Sequence, residues 1–517
     1  MDSRCDLLVI GGGINGLGIA LEAARRGLSV VLAERADFGG GTTSASSRLI
    51  HGGLRYLQYG ELDLVRESLR ERGRLARMWP HLIRPIELLI PTFRSLPPPG
   101  WKLCVGLACY DLLARDPLFA RPRRLSRDSA REREPGLSTE GLQGGFAYGD
   151  GQLEFPERLC AELALQAREE GAELQSHTAV TALLASGRRV EGARLEDRLS
   201  GVTREVRARL VLNAAGPWVD AVNALLPEPP PRRIGGTSGT HLVLPPRPGG
   251  PRGALYAAAR KDGRPFFLLP WDGRLLVGTT DVRCEGDPDA LRTERWEVEY
   301  LLAETNRLFP DAAYTDADVA LTTVGIRPLP ASTRAAAAIT RRHFVVDHAQ
   351  DGLSGLASVV GGKLTTYRSL AEICVSQALR ILGHAGSGPR SAPPDADNSK
   401  GSSDFRPTGL SQGVGERLAR LYGPRAAEVA RRVDADPELG LPLVEGHPAI
   451  RAEVRHAVES EGARTVEDVL LRRMVLLPPP PGAAEAVRRI APELPELVEE
   501  GRSNRPGEPV SGARAGG

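Results

Sequence analysis

The sequence runs to 517 residues, 41% of them hydrophobic and 26% charged, with a formal net charge of +2. Such a length implies more than one domain with room for a large core, and the near-neutral balance excludes a globally basic nucleic-acid binder. No apolar run reaches the roughly 18–20 residues of a membrane span, and a first strand at Leu7 leaves no room for a cleavable leader.

The opening stretch carries the strongest pattern. A short apolar strand, Leu7–Ile10, is followed by Gly11, Gly13 and Gly16 at G-x-G-x-x-G spacing. A helix is expected from Leu17 to Arg26, then a strand, Ser29–Ala33, that ends at Glu34. This is the order of a dinucleotide site. Gly11 permits a tight turn, Gly13 lets the backbone approach a pyrophosphate, and Gly16 lets the helix pack closely on the strand. The free N–H groups of the helix face phosphate, and Glu34 suits a ribose. Next, Gly39–Ser47 (GGGTTSASS) forms a pliable loop rich in hydroxyl donors, among them Thr42, Thr43, Ser46 and Ser47.

Downstream, a charged surface helix is predicted over Glu61–Arg77 and a strand over Ile86–Ile90. An apolar helix, Trp101–Ala114, precedes the basic segment Arg115–Arg133. That pair reads either as a buried helix with a solvated loop or as an element resting on an anionic membrane surface. A helix over Pro156–Gly171, a strand over Glu173–Thr181 and a hairpin through Arg189–Asp197 and Thr203–Leu210 follow. Alternating strands at Thr240–Pro245, Phe266–Pro270 and Leu275–Gly278 suggest an antiparallel sheet. A helix over Thr293–Leu308, a strand over His343–Asp347 and a helix over Leu364–Leu382 complete the first region. Residues 386–408 read as a linker, 409–500 as a helical domain and 501–517 as a disordered tail. The candidate helices of that domain are Val414–Tyr422, Arg425–Val433, Ile450–Glu461 and Thr465–Leu476.

Six cysteines form no C-x-x-C pair and show no zinc spacing, which suits free thiols in a reducing cytoplasm and calls for no metal. Of 67 basic residues only four are lysines, so Lys363, inside a glycine-rich motif, is notable. Arg55, Arg327 and Lys363 each sit beside glycine, in HGGLRY, GIRPLP and GGKLTT. Together they would suit a phosphate dianion, through two planar forks and one point charge. Taken singly, an arginine in so arginine-rich a chain is a surface charge, and a lone histidine is a structural one.

The strings VIGGGINGLGIA, SSRLIHGGLRYL, NAAGPWVD, GTHLVLP, GTTDV, GIRPLP and GGKLTTYR occur in order as far as Arg368, and EVRHAVESEGARTVEDVLLRR lies near the C-terminus. In these the chain resembles the FAD-dependent glycerol-3-phosphate dehydrogenases of the D-amino-acid-oxidase-like flavoprotein group. The resemblance implies an α/β fold: a discontinuous Rossmann-type FAD domain with an inserted antiparallel-sheet substrate domain over residues 1–385, then the helical domain. It implies noncovalent FAD, held by the glycine turn with Asn15 and Glu34, by the hydroxyl loop, by His51 and Gly52, by Ala215 and Gly216, and by Gly362, Lys363, Leu364 and Thr365. It implies sn-glycerol 3-phosphate as substrate, bound by Arg55, Tyr56, Arg327, Lys363 and Thr365. Arg327, Lys363 and His241 would serve the chemistry, with His241 on the substrate side. It also implies a membrane quinone as electron acceptor and a cytoplasmic location peripheral to the inner face of the cell membrane, and it leaves room for a homodimer. An oxidase using oxygen, another amine or hydroxy-acid oxidase of the same fold, and a flavin-binding regulatory protein without turnover are the competing readings. At Glu154–Glu157 the chain departs from the family's paired aspartates, which leaves the role of that segment open.

Overall fold

The protein is described from a computed structural model that covers residues 3–94, 96–113, 115–332, 341–383 and 409–495. The expected linker and tail lie outside these residues.

One sheet carries strands in the order Phe344–Asp347, Leu356–Val360, Thr203–Asn213, Ser3–Ile10, Val30–Ala33 and Glu173–Gln175. These six run parallel except the edge strand Phe344–Asp347, and the first half of Thr203–Asn213 also pairs antiparallel with Arg189–Asp197, which joins a hairpin to the sheet. A parallel sheet is covered on both faces, so its strands are apolar throughout rather than alternating. Val30–Ala33 accordingly has all four residues buried. The helices Ile14–Arg25, Pro156–Glu169 and Tyr367–Ile381 cover one face, and the hairpin Thr178–Ser186 with Arg189–Asp197 packs on the other. Leu7, Leu8 and Val9 are fully buried between these layers, each contributing roughly 1.5–3 kcal/mol of apolar burial.

The single strand expected over Glu173–Thr181 is two. Glu173–Gln175 belongs to the parallel sheet and Thr178–Ser186 to the hairpin. Between them His177 adopts a left-handed backbone (φ 51) and bonds Asp468 at 2.8 Å, so the chain changes layer at a residue tied to a distant partner. The surface helix expected at Glu61–Arg77, observed as Leu62–Met78, also differs. Its buried face includes Ser68, Glu71 and Arg72, because Arg72 pairs with Asp150 at 2.7 Å and Glu71 with Arg368 at 2.9 Å. Buried charges of this kind need such partners.

The second sheet has ten strands. Ile234–Leu244 is paired on both sides: Leu321–Pro330 runs along one, and Arg274–Gly278 then Val282–Cys284 along the other. Ile83–Phe93 and Leu142–Leu153 extend the sheet. It is antiparallel, as expected, apart from one parallel contact of Ala254–Ala258 with Ile83–Phe93. The C-terminal region contributes the helices Gln412–Tyr422, Ala426–Ala435, Arg451–Glu459 and Ala483–Ile490, and a wide π-helical turn over Asp468–Arg473 in place of the ordinary helix expected there.

Candidate active site

The first strand delivers the chain to Gly11, whose φ of +105 only glycine adopts at ease. A Cβ on Gly16 would stand 1.9 Å from the Gly11 carbonyl oxygen, so the first turn of the helix can lie against the strand end only with glycine at this position. Gly16 thus serves packing and does not line the cleft, whereas Gly11, Gly13 and Asn15 do. The helix starts at Ile14, three residues earlier than predicted, and Ile14 N–H donates to Thr43 Oγ1 at 3.2 Å. Glu34 accepts from Gly12 N–H at 2.6 Å and Ala36 N–H at 2.9 Å, which fixes its carboxylate at the cleft wall.

The hydroxyl loop folds back on this turn. Gly39 N–H donates to the Gly12 carbonyl at 2.9 Å, and Thr42 donates to the Ile326 carbonyl at 2.8 Å. Ser46, Ser47, Thr42 and Thr43 all face the cleft. At the far end of the loop, buried Arg48 donates to both oxygens of Glu157 at 2.8 and 2.9 Å and to the Ser44 carbonyl at 3.2 Å. Glu157 therefore anchors the loop, and this gives the departing Glu154–Glu157 segment a definite place. Ala215 and Gly216 close the opposite wall, and Gly362, Lys363, Leu364 and Thr365 line it ahead of the helix Tyr367–Ile381. Gly52 lies outside the cleft, its N–H given to Tyr110 at 2.8 Å.

The cleft, about 550 Å³, runs from the glycine turn to a cluster of cations: Arg55, Arg264, Arg327, Arg341 and Lys363. Strand pairing places Arg327 opposite Thr237. Its guanidinium is held by Asp281 at 3.2 Å, Thr279 at 3.1 Å and the Ser238 carbonyl at 3.2 Å. A Cβ on Gly239 would lie 2.5 Å from the Arg327 fork, so that glycine makes room for it. Lys363 Nζ stands 4.0 Å above the Tyr56 ring and donates to Ser68 at 3.3 Å. Buried Thr365 accepts from His51 N–H at 3.2 Å.

The electrostatics follow from this crowding. Burial lowers the pKa of Lys363 and takes that of Arg327 down to about 10. Burial works to raise the Tyr56 phenol, but Lys363, Arg341, Arg55 and Arg327 outweigh it, and the net shift is downward. For Asp281 likewise, burial is outweighed by Arg327 and its other partners, leaving the carboxyl below its ordinary value. Burial, with Arg327 and Arg48 nearby, lowers His241 to about 3, and burial takes His51 to about 4. Both rings are neutral near pH 7. His241 Nε2 shares a proton with Ser47 at 2.8 Å, while its Nδ1 has no hydrogen-bond partner among the described residues. Asn15 Oδ1 and Arg341 Nη1 are likewise buried without such a partner. Unpaired buried polar atoms along one cleft fit a bound polar ligand. The Gly13 edge is open to one: a Cβ added there would meet only Thr43 Oγ1, at 3.5 Å.

The FAD-dependent oxidoreductase family matches residues 6–368. The chain belongs to that family. The C-terminal domain of alpha-glycerophosphate oxidase matches residues 374–499. Among relatives of this family, a glycerol-3-phosphate dehydrogenase of Synechocystis sp. is 41% identical over 90% of this chain and 88% of its own. The mitochondrial glycerol-3-phosphate dehydrogenase of Homo sapiens is 35% identical over 96% and 70%. The crystal structure of the Bacillus halodurans glycerol-3-phosphate dehydrogenase, complexed with FAD, superposes with a TM-score of 0.77 at 28% identity, covering 97% of this chain and 93% of that one. The chain therefore sits with the glycerol-3-phosphate dehydrogenases of this FAD-dependent family.

Sequence reasoning missed Arg341, Arg264 and Asp281. Asp281 lies within the GTTDV string, so a signal existed. Arg341 and Arg264 have no flanking motif to separate them from the chain's other arginines.

Proposed function

We propose that the chain oxidises sn-glycerol 3-phosphate to dihydroxyacetone phosphate. FAD, bound noncovalently in the cleft, supplies the hydride acceptor. The observation that carries the reading is the cluster of five cations at one end of a cleft whose other end is a dinucleotide turn. Arg55, Arg341 and Lys363 hold the substrate phosphate. Arg327, fixed by its acceptors, stabilises negative charge on the substrate oxygen as it loses its proton. His241 Nδ1 takes that proton; a dianion seated nearby restores the basicity that burial removes. The test is an anaerobic visible spectrum of the purified protein before and after sn-glycerol 3-phosphate. Bleaching of the flavin band is expected. A yellow protein that does not bleach removes the substrate assignment.

A membrane quinone as acceptor, with the protein peripheral on the inner face of the cell membrane, completes the proposal. Among the described residues no helix is long and apolar enough to cross a membrane. The helix Gly100–Leu113 buries Leu103, Leu107 and Tyr110 but leaves Trp101 and Leu112 about two-thirds exposed, with exposed Lys102, Arg121 and Arg124 nearby. An exposed aromatic-aliphatic face with basic residues beside it suits an anionic bilayer surface. Cosedimentation with anionic vesicles is expected, weakened severalfold in Trp101→Ala/Leu112→Ser. Equal pelleting of both proteins would reject this helix as the contact.

A further inference from the structure

We propose that the C-terminal helical domain retains the flavin cofactor, with Arg473 as the positioning residue. The inference rests on FAD occupying the cleft. The cofactor loop is tied at both ends by a buried arginine–carboxylate pair. At its far end Arg48 and Glu157 both belong to the flavin-binding region. At its near end stands Asp37, three residues beyond Glu34 and two before Gly39. Its partner, Arg473, comes from 436 residues further along the chain.

The Arg473 guanidinium donates to both Asp37 oxygens, at 2.5 and 2.9 Å, and the two side chains are 1% and 4% exposed. Asp37 in turn controls the loop. Its carbonyl accepts from Gly40 N–H at 3.1 Å, and the next turn brings Gly39 N–H to the Gly12 carbonyl. A Cβ on Gly40 would lie 3.7 Å from the Arg472 side chain, so this neighbour also packs on the loop. Arg473 is itself clamped. Its carbonyl accepts from Arg158 at 3.3 Å, and it donates to the Glu461 carbonyl at 3.4 Å. The wide turn Asp468–Arg473, closed by Met474 N–H on the Val469 carbonyl at 2.8 Å, carries it to this position.

His177 and Asp468 share the corner, with ligating atoms within 4.8 Å of Asp37. Both Asp37 oxygens nevertheless face a guanidinium, so the acid is matched by the C-terminal domain. A buried charge stripped of its partner does not stay in place, and the loop's path depends on Asp37 staying.

The experiment measures FAD release from the full-length holoenzyme as free-flavin fluorescence after dilution. Arg473→Met is expected to release FAD roughly ten- to hundredfold faster, by analogy with the loss of affinity when hydrogen-bond partners behind metal ligands are removed. Its kcat and KM, measured with saturating FAD, stay within about twofold of the parent. Arg473→Lys restores part of the retention. Arg464→Met supplies the control. Arg464 pairs with Asp197 at 2.7 Å and donates to the Ser176 carbonyl at 3.0 Å across the same domain boundary, neither of them a residue of the cofactor loop, and its loss leaves FAD release unchanged. Should Arg473→Met not fold, the double variant Asp37→Asn/Arg473→Gln leaves no unpaired ion, and faster release is expected there too. Release at the parental rate from the folded variant, or equal acceleration by Arg464→Met, overturns the proposal. A parent protein that binds no FAD would instead overturn the functional reading beneath it.

Discussion

Arg327→Ala is expected to lower kcat/KM by roughly 10²–10³-fold, about 3–4 kcal/mol of transition-state stabilisation, in a protein that remains yellow. The two halves of that expectation come from different parts of the cleft. Arg327 touches Thr237, Ser238, Thr279, Thr280 and Asp281, all on the second sheet or the turn between its strands. None of these hydrogen bonds reaches the glycine turn or the hydroxyl loop, so the cofactor keeps its holdings. What is lost is a preorganised fork whose position is set before substrate arrives. Removing it also leaves Asp281 as an acid beside the substrate, with Arg341 at 3.8 Å as its remaining ion pair among the described residues. Arg327→Lys should recover only part of the rate, because an ammonium cannot reproduce the planar fork. The check is the anaerobic rate of flavin reduction by sn-glycerol 3-phosphate, beside the bound-flavin spectrum. A variant that reduces at near-parental rate would remove Arg327 from the chemistry.

How much of this is legible in the sequence depends on the range of the forces involved. The dinucleotide turn is a local object: Gly11, Gly13, Gly16 and Glu34 act within one strand–helix–strand unit, and their spacing alone places them. The long strand Ile234–Leu244 reads as starting only at Thr240, because Gly235, Gly236 and Gly239 have no side chains to show alternation. Those glycines exist for close approach, and Gly239 clears the space Arg327 fills. The break at His177 is invisible because its cause is Asp468, 291 residues away. The same holds for the buried polar face of Leu62–Met78. Glu71 and Arg72 read as solvated charges until Arg368 and Asp150 are brought against them. Arg341 and Arg473 are the extreme cases, ordinary arginines in sequence whose meaning comes wholly from what the fold sets opposite them.

A second large effect is expected from acid. Five histidines have pKa values displaced from the ordinary 6.5, and all five are displaced downward. Burial is the leading cause in each, joined by Arg158 at His81 and by Arg327 and Arg48 at His241. His51 and His81 fall to about 4 and His241 to about 3. Below pH 6.5 the unfolded chain takes up protons at these rings while the native protein does not. Stability is therefore full above pH 6.5 and is lost as the pH falls toward 4 to 3. At up to about 1.4 kcal/mol per pH unit for each ring, the three together cost on the order of 5 kcal/mol between pH 6.5 and 5, comparable with the net stability of an ordinary domain. Buried Glu134 and Glu162 work the other way: burial raises their carboxyl pKa values, so as the pH falls the native protein takes up protons there first and part of this loss is offset. His81 isolates the effect. It stands outside the cleft, where a Cβ on Gly423 of the C-terminal domain would lie 2.6 Å from its ring, and neither ring nitrogen has a hydrogen-bond partner among the described residues. Charging it must open that contact between the domains. Melting temperature measured from pH 7 to 5 should fall steeply in the parent and less steeply in His81→Gln, by the share of one proton. A flat profile in the parent, or an unchanged slope in the variant, would show that these rings titrate alike in the folded and unfolded chains.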